Sequence, residues 1–204
     1  MSTPVHIINL KTGETEEAQL LEEITIAHFI ETQQKWRPIV EEVTRIRHRA
    51  GETDTLPRHW HWDWTRKANQ LGLLGIQFYG IECRGRLEGL MKVDLDPTIR
   101  CRIPEQMGKE VVYIDYIEAA PWNVKQIVDA PEYGAVGSRL FAAAVHLSVA
   151  EGFKGRVALH SLPTSEGFYV QACQMTAVER DVHKQNLLWC EYTPEQAQRF
   201  LSGE

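Results

Sequence analysis

Glu132-Tyr133-Gly134-Ala135-Val136-Gly137-Ser138-Arg139-Leu140 is a small-residue turn that opens a helix, directly downstream of the most strand-like segment of the chain, Val111 to Glu118. Gly134 and Gly137 carry no Cβ, so the backbone can bend tightly and approach a ligand closely. The first N–H groups of a helix have no partner within it. Together with the positive end of the helix dipole they suit a phosphate, so the turn reads as an anion cradle.

Outward from the turn, Ser138 to Ala150 predicts the main helix, with Leu140, Ala143, Ala144, Leu147 and Val149 on its apolar face and Gly152 as its stop. Arg156 to His160 reads as a strand, so strand, helix and strand form a βαβ crossover. Upstream, Leu73 to Cys83 and Leu87 to Leu95 predict a hairpin about Arg84-Gly85-Arg86. Downstream, Ser165 to Ala172 suits a short helix, and Met175 to Val182 with Asn186 to Tyr192 a closing antiparallel pair. Thr193-Pro194-Glu195 then starts a terminal helix by N-cap and N1-proline logic.

At the N-terminus, Val5 to Leu10 reads as a strand ended by Lys11-Thr12-Gly13. Glu14, Glu16 and Glu17 suit the first turn of a helix, and Leu20, Ile24 and Ala27 follow helical spacing. Trp36, Ile39, Val40, Val43 and Ile46 repeat it, as a second helix or as one kinked at Pro38. Gly51 to Pro57 is a polar loop, and Trp60 to Leu71 looks helical. The whole predicts one mixed α/β domain over residues 1–204.

The 204 residues are 43% hydrophobic, enough for a substantial core, and the net charge of −6 argues against nucleic-acid binding while suiting a cationic amine. Cys83, Cys101, Cys173 and Cys190 form no CxxC pair, so no zinc ribbon or dithiol motif is indicated and the thiols are expected reduced. The N-terminus has no leader pattern and no run reaches about 18 apolar residues, which points to the cytoplasm.

The order of elements resembles the GNAT superfamily of acyl-CoA-dependent N-acetyltransferases, over most of the chain. In that family the turn reads Gln or Arg, two residues, Gly, one residue, then Gly or Ala. Glu132-Tyr133-Gly134-Ala135-Val136-Gly137 matches it with two departures. Glu132 replaces the Gln or Arg, with Arg139 the nearest residue to neutralise it, and Ala135 replaces a glycine, with Gly134 expected to supply the flexibility. The resemblance implies that Tyr133, Gly134, Ala135, Val136, Gly137, Ser138 and Arg139 hold the coenzyme A of acetyl-CoA. It implies no metal.

Gly167-Phe168-Tyr169 is similar to the family's aromatic-Tyr pair, which makes Tyr169 the implied acid that protonates the departing thiolate. A phenol near pKa 10 fits a thiolate near about 8.5. The family's Asn before this Tyr and Gly-Phe after it are Leu162 and Cys173-Gln174 here. The strand Tyr113 to Ala120 carries Asp115 and Glu118, either of which resembles the family's general base, with a structural hydrogen bond as the alternative for each. Pro121-Trp122-Asn123 looks like a sequence shared by one bacterial branch, with Asn123 either orienting substrate or capping a turn.

Arg58-His59-Trp60-His61-Trp62-Asp63-Trp64 holds two His and an Asp at alternate positions, which share a face only in an extended chain, so metal ligation is disfavoured. Trp62 is placed in the acceptor pocket instead. His146 and His160 read as structural, and Ser161 lacks a nucleophile elbow. The function expected is acetyl transfer to a primary amine, small molecule or peptide, by a possible homodimer. A non-catalytic acyl-CoA-binding or protein-interaction module on the same fold is the alternative.

Overall fold

The chain reverses at Asn9, whose side-chain oxygen accepts the N–H groups of Lys11 and Thr12 at 3.0 and 3.2 Å, while Gly13 adopts φ +77°. The result is a hairpin of β1 (Ser2–Asn9) and β2 (Thr15–Leu21) in the computed structural model, which describes residues 2–52 and 61–203. The helix expected from Glu14 is therefore a strand. The Asx turn is local and strong, whereas the helical spacing rested on three apolar positions. Glu16, read as a helix-start acid, instead takes the Asn9 amide at 2.5 Å and the Arg84 guanidinium at 2.9 Å.

α1 (Ile26–Glu31) and α2 (Arg37–Arg49) are joined by a π turn, Thr32–Trp36. The Arg37 N–H reaches back to Thr32 O, which shifts the hydrogen-bond ladder just ahead of Pro38, a residue with no N–H to give. A short 3₁₀ helix, Trp64–Gln70, comes next, and most of the expected loop to Pro57, with Trp60, lies outside the described residues. The expected hairpin is β3 (Ile76–Cys83) and β4 (Arg86–Asp94), and the strand before the turn is β5 (Val112–Ala119).

The turn itself contains a two-residue strand, β6 (Tyr133–Gly134), paired with β1, and leads into α3 (Val136–Ala150). β7 (Val157–Ser161) runs parallel to β5, and β8 (Thr176–Asp181) and β9 (Leu187–Glu191) close antiparallel. α4 (Pro194–Ser202) carries the capping box of Thr193 and Gln196. The strand order is β6-β1-β2-β3-β4-β5-β7-β9-β8, a mixed, mostly antiparallel sheet flanked by helices.

By its contacts the chain divides into two compact units. The first holds Met1–Leu73, Gln77–Met91 and Ile117–Leu140. Phe29 packs there against Trp64 and Phe78, with ring centroids 6.1 and 5.3 Å away. Gly89 lets the start of α3 approach β4, since a Cβ there would lie 2.7 Å from Val136 Cγ1 and 3.0 Å from Leu140 Cδ1. The second holds Leu74–Ile76, Lys92–Tyr116 and Phe141–Glu204. Phe141 sits there among Tyr169, Tyr192 and Phe200. All four cysteines are free and buried.

Candidate functional site

The turn before α3 has a left-handed residue, and it is Ala135, at φ +66°. Gly134 does not supply the bend, contrary to expectation; it pairs with Ile8 in the sheet, close under the Leu10 side chain. The first helix bond is Arg139 N–H to Ala135 O, so the N–H groups of Val136, Gly137 and Ser138 have no acceptor among the described residues. Val136 is buried beneath the turn, whereas Gly137 and Ser138 are half-exposed. The unpaired donors of Gly137 and Ser138, at the head of a 15-residue helix, are an arrangement that suits an anion.

Glu132 does not point toward the open amides. Its carboxylate pairs with Arg86, and Arg139, expected to neutralise it, donates to His6 O at 2.7 Å instead. Behind the turn lies a group that the sequence reading missed. Glu88 is 0% exposed and accepts from Arg86 Nε, Trp122 Nε1 and Asn123 Nδ2, each at 2.7 Å. The Arg86 guanidinium also lies 4.4 Å from the Trp122 ring centre. Asn123 completes the link, because its oxygen accepts the Tyr133 N–H at 3.0 Å while Glu132 N–H donates to Trp122 O. A buried carboxylate with three charge-assisted or indole donors is satisfied. It ties Pro121-Trp122-Asn123 to the turn. The available signal was a carboxylate inside the apolar run Leu87 to Val93.

A cleft in the same unit brings Glu118 and Trp62 together, lined also by Thr32, Gln33, Trp36 and Trp64. Its free volume of about 20 Å³ leaves room for one water. Trp64 Nε1 donates to Glu118 Oε2 at 2.6 Å. Burial pushes the Glu118 carboxyl up to about 7, against the Trp64 bond and the Lys67 charge, which both favour ionisation. The buried Trp36 N–H has no acceptor among the described residues, so a donor and a titratable acceptor line one small space. Asp63, read as a possible metal ligand, caps the 3₁₀ helix through Thr65 and takes Gln33 at 2.6 Å. His59 lies outside the described residues, among which no group of three metal-ligating side chains occurs.

In the second unit, Asp115 is ion-paired with Lys92 at 2.5 Å. Tyr169 lies buried in a π turn, Phe168–Ala172, against Phe141 and Phe168. Burial raises its phenol well above the ordinary tyrosine value, with the Cys173 and Cys190 thiols adding to the effect. Ser161 Oγ donates to Leu162 O.

Neither a protein-family model nor a curated protein sequence matches the chain. Solved structures do. The GNAT domain of S. lividans PAT is similar with a TM-score of 0.53 at 11% identity, over 94% of this chain and 96% of that one. The aminoglycoside acetyltransferase AAC(6')-Ib, in complex with coenzyme A and kanamycin, scores 0.51 at 13% identity, over 89% and 98%. A GNAT-family acetyltransferase from Listeria monocytogenes 4b F2365 scores 0.51 at 10% identity, over 86% and 94%. The chain has the fold of the GNAT acetyltransferases.

Proposed function

We propose that the chain works as one acetyltransferase domain that moves an acetyl group from acetyl-CoA to a primary amine. The observation that carries this reading is the turn at Ala135, with three N–H donors at a helix start that have no acceptor among the described residues and a buried carboxylate fixing the loop behind it. Val136, Gly137 and Ser138 would hold the pyrophosphate through their main chain. The fold of coenzyme A-bound transferases supports the same ligand. Acetyl-CoA supplies an activated acetyl thioester when bound.

Glu118 takes the ammonium proton from the incoming amine, directly or through the water for which its cleft has room. Its pKa of about 7 matches that task, since a base poised near the working pH combines availability with driving force. Trp62 flanks the acceptor on the same cleft. Asp115, already neutralised by Lys92, is the weaker candidate for base. Tyr169 keeps its proton at neutral pH and donates it to the departing thiolate. Asn123 positions the turn rather than the substrate, because both ends of its amide are occupied.

The test is calorimetry with acetyl-CoA followed by thiol release across amines that include polyamines, aminoglycosides, amino acids and peptide N-termini. Binding with release supports transfer, binding without release supports an acyl-CoA-binding module, and no heat overturns both.

A further inference from the structure

The second unit holds a cavity of about 410 Å³, within the range of small-molecule sites. Arg100, Arg102 and Lys184 line it together with Tyr113, His160 and Trp189, and no carboxylate does among the described lining residues. Three cations facing one space are notable in a chain of net charge −6.

The inner wall is fixed by a chain of hydrogen bonds. His160 Nε2 lies 3.1 Å from Asp181 Oδ2, and a carboxylate only accepts, so this nitrogen carries the proton. His160 Nδ1 then accepts the Tyr113 hydroxyl at 2.8 Å. Arg102 Nη2 donates to the same Asp181 oxygen at 2.9 Å, and its guanidinium lies 4.0 Å from the Trp189 ring centre. The Tyr113 and Trp189 rings are stacked, 5.9 Å apart and 12° from parallel. The walls are therefore flat, aromatic and held in place.

The charges on the rim differ in their commitments. Arg102 is neutralised by Glu179 and Asp181, and Arg100 by Glu110. Lys184, exposed at the β8–β9 turn, has no ion-pair partner among the described residues. We propose that this cavity binds a small aromatic carboxylate, its ring against the Tyr113, His160 and Trp189 wall and its carboxylate on Lys184. None of the residues assigned to acetyl transfer lines it, so the site stands whether or not that reading does.

The experiment is a titration of the full chain, ¹⁵N-labelled, with benzoate and with benzamide, its neutral counterpart of the same shape. The reporter is the Trp189 indole N–H, which donates to Glu191 at 2.8 Å. Benzoate should shift that resonance and bind at least about ten-fold more tightly than benzamide, and Lys184→Glu should remove the preference while coenzyme A binding is unchanged. Equal affinity for the two probes, no movement of the Trp189 signal at millimolar benzoate, or an undiminished preference in the variant would each overturn the site.

Discussion

Ala135 shows how a residue can be chosen against its own backbone. A left-handed conformation costs an alanine roughly 1–2 kcal/mol, whereas glycine adopts it freely at a smaller entropic penalty. Ala135→Gly should therefore raise unfolding stability by about 0.5–1 kcal/mol, read as a higher urea midpoint at unchanged slope. An unchanged or lower midpoint would mean that the Ala135 methyl contributes packing that offsets the strain. Tyr169 makes the second residue-scale prediction. If its buried phenol supplies the thiolate proton, Tyr169→Phe should cut turnover by about 10²-fold or more and leave the acetyl-CoA KM within a small factor, because only a proton donor is lost. Undiminished turnover removes the acid role. The sequence showed that Tyr169 follows Gly167-Phe168; what it did not show is the burial that raises its phenol and makes it a weaker acid than a free tyrosine.

At the scale of elements, legibility tracked how local the cause was. The β3–β4 hairpin, α3 and the Thr193 cap were readable because turn and cap residues lie within a few positions of the geometry they produce. β2 was misread because acids at a helix start and acids on an exposed strand look alike until the partner strand is known. The loop from Ala120 to Tyr133 was opaque for another reason: Glu88 lies 34 and 35 positions from its indole and amide donors. Pro121-Trp122-Asn123 therefore stood out without an assignable task. Asn123→Ala tests that task. The truncation leaves the Tyr133 N–H without its acceptor and Glu88 Oε2 with the Trp122 indole alone, a loss of about 1–3 kcal/mol, and frees the turn from its anchor. The expected readout is a rise of about ten-fold in the acetyl-CoA KM with a smaller change in kcat, as a binding defect should give. A fall in kcat at constant KM would place Asn123 on the acceptor instead.

For the whole molecule, the crossover that sets β7 parallel to β5 was legible, while the titration behaviour depends on which charges the fold buries. Two groups act in opposite senses near neutral pH. Burial raises Glu118 from 4.5 to about 7, so between those values the folded chain binds more protons than the unfolded one and stability falls as pH rises. Burial lowers His160 below 6.5, outweighing the Asp181 bond, so the unfolded chain binds more protons there and stability falls as pH drops beneath 6.5. Asp181, held down to about 2 by Arg102 and His160, titrates well below this window. The two slopes oppose each other below pH 6.5, so the wild-type urea midpoint should vary less with pH there than that of either single variant. Glu118→Gln removes a term on the order of 3 kcal/mol across its full span and should leave a midpoint that climbs with pH. His160→Gln should leave one that descends. A Glu118→Gln profile parallel to wild type would show that this carboxyl ionises as it does in water, and the base assigned to the Trp62 cleft would go with it.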